Sequence, residues 1–264
     1  MALGSILGFI AAVALFLGSI AMETNNYFIF ISASSAMMVI GGTFSAAYMS
    51  FRGRYVNLAL RDIVRLFSGY SVAREYLNAE IGQMIRWGYL VKKEGIPELE
   101  KEIASLSDDF LSYAVGLVVA GYSAADVRDM LESSVETTHE RKIVPVKILK
   151  YMAAAAPAFG MIGTLVGLIV MLNNIGGSPE QLGGGLATAL LTTLYGVLLA
   201  RLVFLPAATK SQQGHEITRY RNYVMLEGFV MLADDKSPRF IQDRLNSQLD
   251  QRIRYDIDTQ GKGG

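Results

Sequence analysis

The chain has 264 residues, 52% hydrophobic and only 18% charged, with 24 basic and 24 acidic side chains in balance. A typical soluble domain carries about 25% charged residues, so the deficit must be concentrated in particular stretches, and no basic excess is left to mark a nucleic-acid footprint. The absence of cysteine excludes disulfides, thiolate metal sites and a cysteine nucleophile, while two histidines, His139 and His215, both in polar surroundings that suit solvated side chains, are too few for most metal chemistry.

A bilayer core is crossed by about 20 apolar helical residues. Residues 2–22 carry no charge and form the first expected span. This stretch lacks the basic start of a signal peptide, and another apolar stretch follows almost at once, so it reads as a retained helix. After the short polar loop Glu23–Asn26, residues 27–51 form a second span. A region of about a hundred residues, 52–150, then reads as a cytoplasmic helical domain. An amphipathic stretch covers Arg61 to Phe67. Ala73 to Lys93 has Tyr76, Leu77, Ile81, Met84 and Ile85 near helical spacing. Gly95 and Pro97 break it, and Pro97 suits the first turn of a short helix carrying Leu99, Ile103 and Leu106.

Ser107 is the expected cap of the next helix, with Asp108 and Asp109 at its positive end. Its apolar run, Tyr113 to Ala120, is too short to span a bilayer and reads as buried core. Gly121 ends it. Ser123 and Asp126 resemble a capping box, starting a mostly polar helix, Ala124 to about Arg141, limited by Pro145. The third span is expected at 151–172 and the fourth at 182–206, interrupted by Arg201 and ended by Pro206. Residues 207–264 read as cytoplasmic helices, with apolar positions Tyr223, Leu226, Phe229, Val230 and Leu232. A break at Pro238 precedes a last helix with Ile241, Leu245 and Leu249, and Gly261–Gly264 is expected to be disordered. The fold class is therefore an all-α integral membrane protein, four transmembrane helices plus a helical cytoplasmic domain.

Basic residues orient the spans. The loops Glu23–Asn26 and Asn173–Gln181 contain no lysine or arginine. Arg52, Arg54, Arg61 and Arg65 follow span two; Arg141, Lys142, Lys147 and Lys150 precede span three; Lys210, Arg219 and Arg221 follow span four. The positive-inside rule places both termini and the middle domain in the cytoplasm.

No Asp or Glu lies inside any of the four apolar stretches. Ionisable groups within a bilayer usually mark ion pathways. The chain is either a passive anchor, or a partner supplies the carboxylate. Gly160, Gly163 and Gly167 in span three recur at three and four residues, the spacing that lets helices approach closely. Thr164, Thr188, Thr192 and Thr193 place hydroxyls in the membrane, although each can bond its own helix backbone. Gly41 and Gly42 are a second small patch. Pro157 reads as a static kink or as a hinge. Arg201 reads as a side chain snorkelling to the headgroups. The glycines Gly183–Gly185 are no phosphate loop, since no lysine follows.

The segments APAFGMIGTLVGLIVML (Ala156–Leu172) and GGGLATALLTTLYGVLLARLVFLP (Gly183–Pro206) closely resemble the signature of the MotA/PomA stator proteins. EGIPELE (Glu94–Glu100), GYSAADVRDMLE (Gly121–Glu132) and MLEGFVMLADDKSPRFIQDRL (Met225–Leu245) resemble that family's cytoplasmic segments. The resemblance covers nearly the whole chain. It implies a ring, expected to be a pentamer, around the paired membrane helices of a MotB/PomB-type partner anchored to peptidoglycan, in the bacterial inner membrane. The partner's aspartate binds the ion, and the ring turns against the rotor protein FliG. No cofactor is implied beyond the transported Na+ or H+, and no enzyme activity. The resemblance places rotor-facing charges at Lys92 and Glu100, with Lys93 an adjacent competitor for the first. It places conformational coupling at Pro157 and Pro206, and polar positions of sodium-using members at Thr164 and Thr193. Arg201 departs from the small or polar residue expected there. The alternative is an ion-driven energiser of the ExbB/TolQ type, whose members typically show three spans. A membrane-anchored enzyme would need a nucleophile–base or metal constellation that the sequence does not offer.

Overall fold

The structure is a computed structural model describing residues 2–65, 74–103, 106, 108–176 and 178–249. The assignments made above to Phe67, Ala73, Ser107 and Gly261–Gly264 lie outside the described residues, as do the side chains of Tyr76, Leu77 and Ile103. Regular structure among the described residues is entirely helical, comprising α1 (Ala2–Glu23), α2 (Ala33–Ala36), α3 (Gly42–Ser50), α4 (Gly53–Arg65), α5 (Arg74–Glu94), α6 (Leu99–Ile103), α7 (Asp109–Val119), α8 (Ala124–Asn173), α9 (Pro179–Leu198), α10 (Leu205–Ala233) and α11 (Pro238–Asn246). Among the described residues, four helical stretches are long and apolar enough to cross a membrane. The chain forms two compact units, residues 1–71 with 142–213 and residues 72–141 with 214–264.

In the first unit, span one is a regular helix, but span two is broken. Tyr27–Phe30 is a 3-10 turn, Ser32 is extended, and a π-helical turn at Met37–Gly41 joins α2 to α3. Ser32 restarts the helix by accepting from the Ser35 N–H at 3.2 Å. A broken backbone at membrane depth is tolerated only if its polar groups are satisfied. Tyr195 does this from span four. Its hydroxyl donates to the Phe30 carbonyl at 2.5 Å and accepts from the Ser32 N–H at 3.0 Å. Farther along span two, a Cβ on Gly42 would lie 2.3 Å from the Phe159 ring, so only glycine lets spans two and three pack there.

Two expected breaks are absent. Pro145 lies inside α8 and does not limit it; the 50-residue helix contains both Pro145 and Pro157. A proline removes one backbone bond, and burial of the flanking Val146, Ile148, Leu149 and Met152 in the unit's core offsets it. Pro206 likewise does not stop the helix that carries span four. A π-helical turn, Leu199–Phe204, precedes it and absorbs the crowding of its ring, and the helix runs on through α10 to Ala233. Beyond Phe51, which is extended, the amphipathic α4 turns Val56 and Ala59 into the same core, with Phe204, Ala207 and Ala208. Buried Ser211 donates to Asp62 at 2.8 Å, closing the polar end of that contact.

In the second unit, Asp108 caps α7. One carboxylate oxygen accepts from the Phe110 and Leu111 N–H groups at 2.9 and 3.0 Å, and the other accepts from Arg221 at 2.8 Å. Its two oxygens thus serve helix and guanidinium at once. The apolar face of α7 is core, as its length requires: Leu111, Ala114, Val115 and Val118 pack with Ile81, Met84, Trp87, Leu131 and Phe229. Gly121, at φ +78°, ends α7 in a conformation that favours glycine. Ser123 caps α8, accepting from the Asp126 N–H at 3.2 Å and donating to its carboxylate at 2.6 Å. Ser237 and Pro238 open α11. Arg221 and Glu80, 5% and 4% exposed, form a doubly bonded pair at the core edge. Neither His139 nor His215 is fully solvated; both are half-buried.

Candidate functional site

Spans three and four pack antiparallel through reciprocal grooves of small residues. A Cβ on Gly163 would lie 2.5 Å from the Thr192 side chain, and one on Gly167 would lie 2.7 Å from the Gly185 carbonyl. From the other side, a Cβ on Gly185 would meet Met171 at 2.9 Å, and one on Gly196 would meet the Ala156 carbonyl at 2.6 Å and the Pro157 Cα at 3.0 Å. Span four therefore has its own stripe, Gly185, Ala189, Thr192 and Gly196, spaced four, three and four residues apart. The helices meet backbone to backbone, the contact that small residues permit within a membrane. Pro157 sits in this contact, seated against the bare backbone of Gly196.

The groove brings Thr164 and Thr193 together, their hydroxyls 2.5 Å apart. The Thr164 oxygen is also 3.1 Å from the Gly160 carbonyl and 3.0 Å from the Ala189 carbonyl, and Thr192 donates to Ala189 at 2.8 Å. This cluster has more lone pairs than protons. Thr164 has a single proton for two carbonyls and a neighbouring hydroxyl. The result is an electronegative patch with no formal charge. Thr193 is exposed, and the residues sharing its face, Leu186, Leu190 and Val197, are 44%, 63% and 45% exposed. On span three Met161 and Leu165 are 61% and 62% exposed. The hydroxyl pair thus lies in an apolar face left uncovered by this chain. Pro206, by contrast, lies more than three turns along the helix from Thr193, just past the π-helical turn.

The two charges assigned to a rotor contact lie in the second unit. Lys92, in the last turn of α5, is 44% exposed and pairs with Asp235 at 3.5 Å rather than with Glu100. Glu100, on α6, is exposed. Lys93 is 81% exposed and reaches its neighbour Glu94 at 3.3 Å. Asp235 holds φ +48° at the end of α10, where the Lys236 N–H reaches back to the Met231 carbonyl at 3.0 Å. Its pairing with Lys92 was not legible in the sequence. In the motif Glu227–Gly228, the glycine lies against Met84, which a Cβ would approach to 2.7 Å. Arg128 bonds Glu227 at 2.6 Å and holds that carboxyl below its ordinary range. Tyr223 and Arg219 do the same for Glu136, through bonds of 2.5 and 2.7 Å. Among the described residues no cluster of acidic and histidine side chains is arranged to hold a metal.

Fold and site together define a polytopic, all-helical membrane protein whose third and fourth spans form a hydroxyl-bearing wall without a carboxylate. The model of the MotA/TolQ/ExbB proton channel family matches residues 102–222. The chemotaxis protein PomA of Vibrio alginolyticus is 30% identical over 96% of this chain and 98% of its own length. The protein YtxD of Bacillus subtilis is 31% identical over 82% of this chain and 78% of its own. Solved structures of C. jejuni MotAB and of the flagellar MotAB stator complex from Bacillus subtilis share the fold, with TM-scores of 0.84 and 0.82, both at 23% identity. Each alignment covers 95% of this chain, and 97% and 98% of theirs. The chain belongs to the MotA/PomA family of flagellar motor stator proteins.

Proposed function

We propose that this chain is the ion-conducting, torque-generating subunit of a flagellar stator in the bacterial inner membrane, with both termini in the cytoplasm. Five copies surround the single-span helices of a MotB/PomB-type partner, which carries the ion on a membrane carboxylate. The carrying observation is the Thr164–Thr193 hydroxyl pair on an exposed, otherwise apolar face without any acidic residue. Such a wall offers oxygen lone pairs to a passing cation but cannot hold it, so the binding charge must come from another chain. A surplus of neutral oxygens is the chemistry of Na+ coordination, and Na+ is the ion proposed here.

Each charge crossing the field releases roughly 2.3 kcal/mol per 100 mV. That biases a shift between two packed arrangements of the spans, with Pro157 against Gly196 and Pro206 beside the π-helical turn as the adjustable points. The ring then pushes FliG through Lys92 and Glu100, a contact between exposed charges that is weak, salt-sensitive and readily remade. Swimming speed of cells that depend on this chain, measured against external sodium at fixed membrane potential, tests the reading. Speed falls toward zero as sodium is withdrawn, and Thr164→Val with Thr193→Val slows the motor without unfolding the protein. Unchanged speed in sodium-free medium excludes a sodium motor.

A further inference from the structure

Arg201 stands apart from the Thr164–Thr193 pair, eight residues past Thr193 along span four. It interrupts the apolar run of span four, is exposed, and makes neither an ion pair nor a side-chain hydrogen bond among the described residues. It sits within the π-helical turn Leu199–Phe204, a departure from α-helix that often marks a functional position. Beside it, between span one and the end of span four, lies a groove of about 450 Å³, lined by Gly8, Phe9 and Ala12 on one side and by the face running from Arg201 to Gln213 on the other. The groove holds two cations, Arg201 and Lys210, a hydroxyl and an amide, Thr209 and Gln213, and no carboxylate.

Helical side chains lean toward the N-terminus. On span four, Arg201 therefore leans away from the near headgroups, and Lys210, about 13 Å farther along the axis, leans toward it. An unpaired guanidinium at this depth is costly. The apolar stretches of a second copy of this chain would offer it no Asp or Glu. A phospholipid carries both an anionic headgroup and an acyl chain for the apolar wall.

We propose that the groove between span one and the end of span four binds an anionic phospholipid, its phosphate held between Arg201 and Lys210 and its acyl chain laid against Gly8, Phe9, Leu202 and Leu205. The cytoplasmic leaflet is its source on the orientation proposed above; the preference for an anionic lipid does not depend on that orientation.

The test uses the full-length protein in neutral detergent, titrated with dioleoylphosphatidylglycerol or dioleoylphosphatidylcholine. Native mass spectrometry counts retained lipid, and thermal unfolding reports stabilisation. The anionic lipid is retained in preference and raises Tm further. Arg201→Gln and Lys210→Gln each weaken its binding roughly fivefold, and together about 25-fold. Arg201→Lys keeps most of the preference, so a poorly folding glutamine variant does not end the test. Equal retention of the two lipids by the wild-type protein overturns the proposal. So does an anionic preference that survives the double glutamine variant. The chain has no cysteine, so Leu205→Cys provides a single thiol; efficient disulfide formation between copies at that position assigns the groove to a second protomer instead.

Discussion

Gly196→Ala separates packing from hydroxyl chemistry in the wall of spans three and four. A Cβ at this position would stand 2.6 Å from the Ala156 carbonyl oxygen and 3.0 Å from the Pro157 Cα, both backbone atoms with no rotamer to yield. Ordinary contact begins at 3.4 Å, so the spans must part by about 0.8 Å. Overpacking of this kind costs about 1–3 kcal/mol, and each kcal/mol lowers Tm by about 2–4 °C in a chain of this size. Thr193 lies one turn away, and the same displacement stretches its 2.5 Å contact with Thr164 beyond the usual hydroxyl limit of about 3.0 Å. Gly116→Ala is the control. It lies inside α7 with nothing within 4 Å of the added carbon, and removing an interior glycine stabilises a helix by about 0.5–1 kcal/mol. Thermal unfolding of the purified protein and swimming speed are measured for both variants. Gly196→Ala loses stability and speed; Gly116→Ala loses neither. Equal Tm and speed in the two variants would refute the close backbone contact and the dependence of the hydroxyl pair on it.

Other outcomes follow from the second unit. Arg221→Leu leaves Glu80, 4% exposed, with no guanidinium partner, and should lower unfolding free energy by about 3–5 kcal/mol; denaturant titration of single and double variants of Arg221 and Glu80 checks this, the double variant losing less than the sum. Glu227, 18% exposed in its side chain, has its carboxyl held low by Arg128, so its contribution is present above the ordinary carboxylate pKa of about 4.3 and is lost as pH falls through the lower folded value. Glu227→Gln should therefore cost about 1.5–3 kcal/mol at neutral pH, a gap that narrows in acid; a gap independent of pH contradicts the assignment. Lys92→Glu sets like charge against Asp235, now 3.5 Å from the ammonium, and should slow swimming with little change in Tm, a charge-reversing change on the rotor restoring part of the speed.

The spans were legible because their signal is the absence of charge over about 20 residues, which no local context disguises. The buried role of Ala114, Val115, Leu117 and Val118 was legible for the same reason, the run's length ruling out a crossing, whereas Tyr113 and Ala120 at its ends are exposed rather than core. Helix ends were less so. Pro145 and Pro206 read as stops, yet burial of Val146, Ile148 and Leu149 carries α8 through one and a π-helical turn carries span four past the other. Asp108 reads locally as a residue favouring the helix end, but the bond of its second oxygen to Arg221, more than a hundred residues away, has no local signal. Tyr195 carries no local signal of its role, because the break it closes lies in another span. The stripe through Gly185 and Gly196 is present in the spacing, but small residues of span four reveal a contact only once the backbone of span three is set against them.

The central claim is that this chain supplies a carboxylate-free wall and its partner supplies the charge that moves. Cation flux into proteoliposomes, under an imposed potential and sodium gradient, measures it directly. The chain alone should pass no cation above the lipid background. Reconstituted with its single-span partner it should conduct, and conversion of the partner's membrane carboxylate to an amide should abolish the flux. Sustained sodium or proton flux through the chain alone would contradict the account.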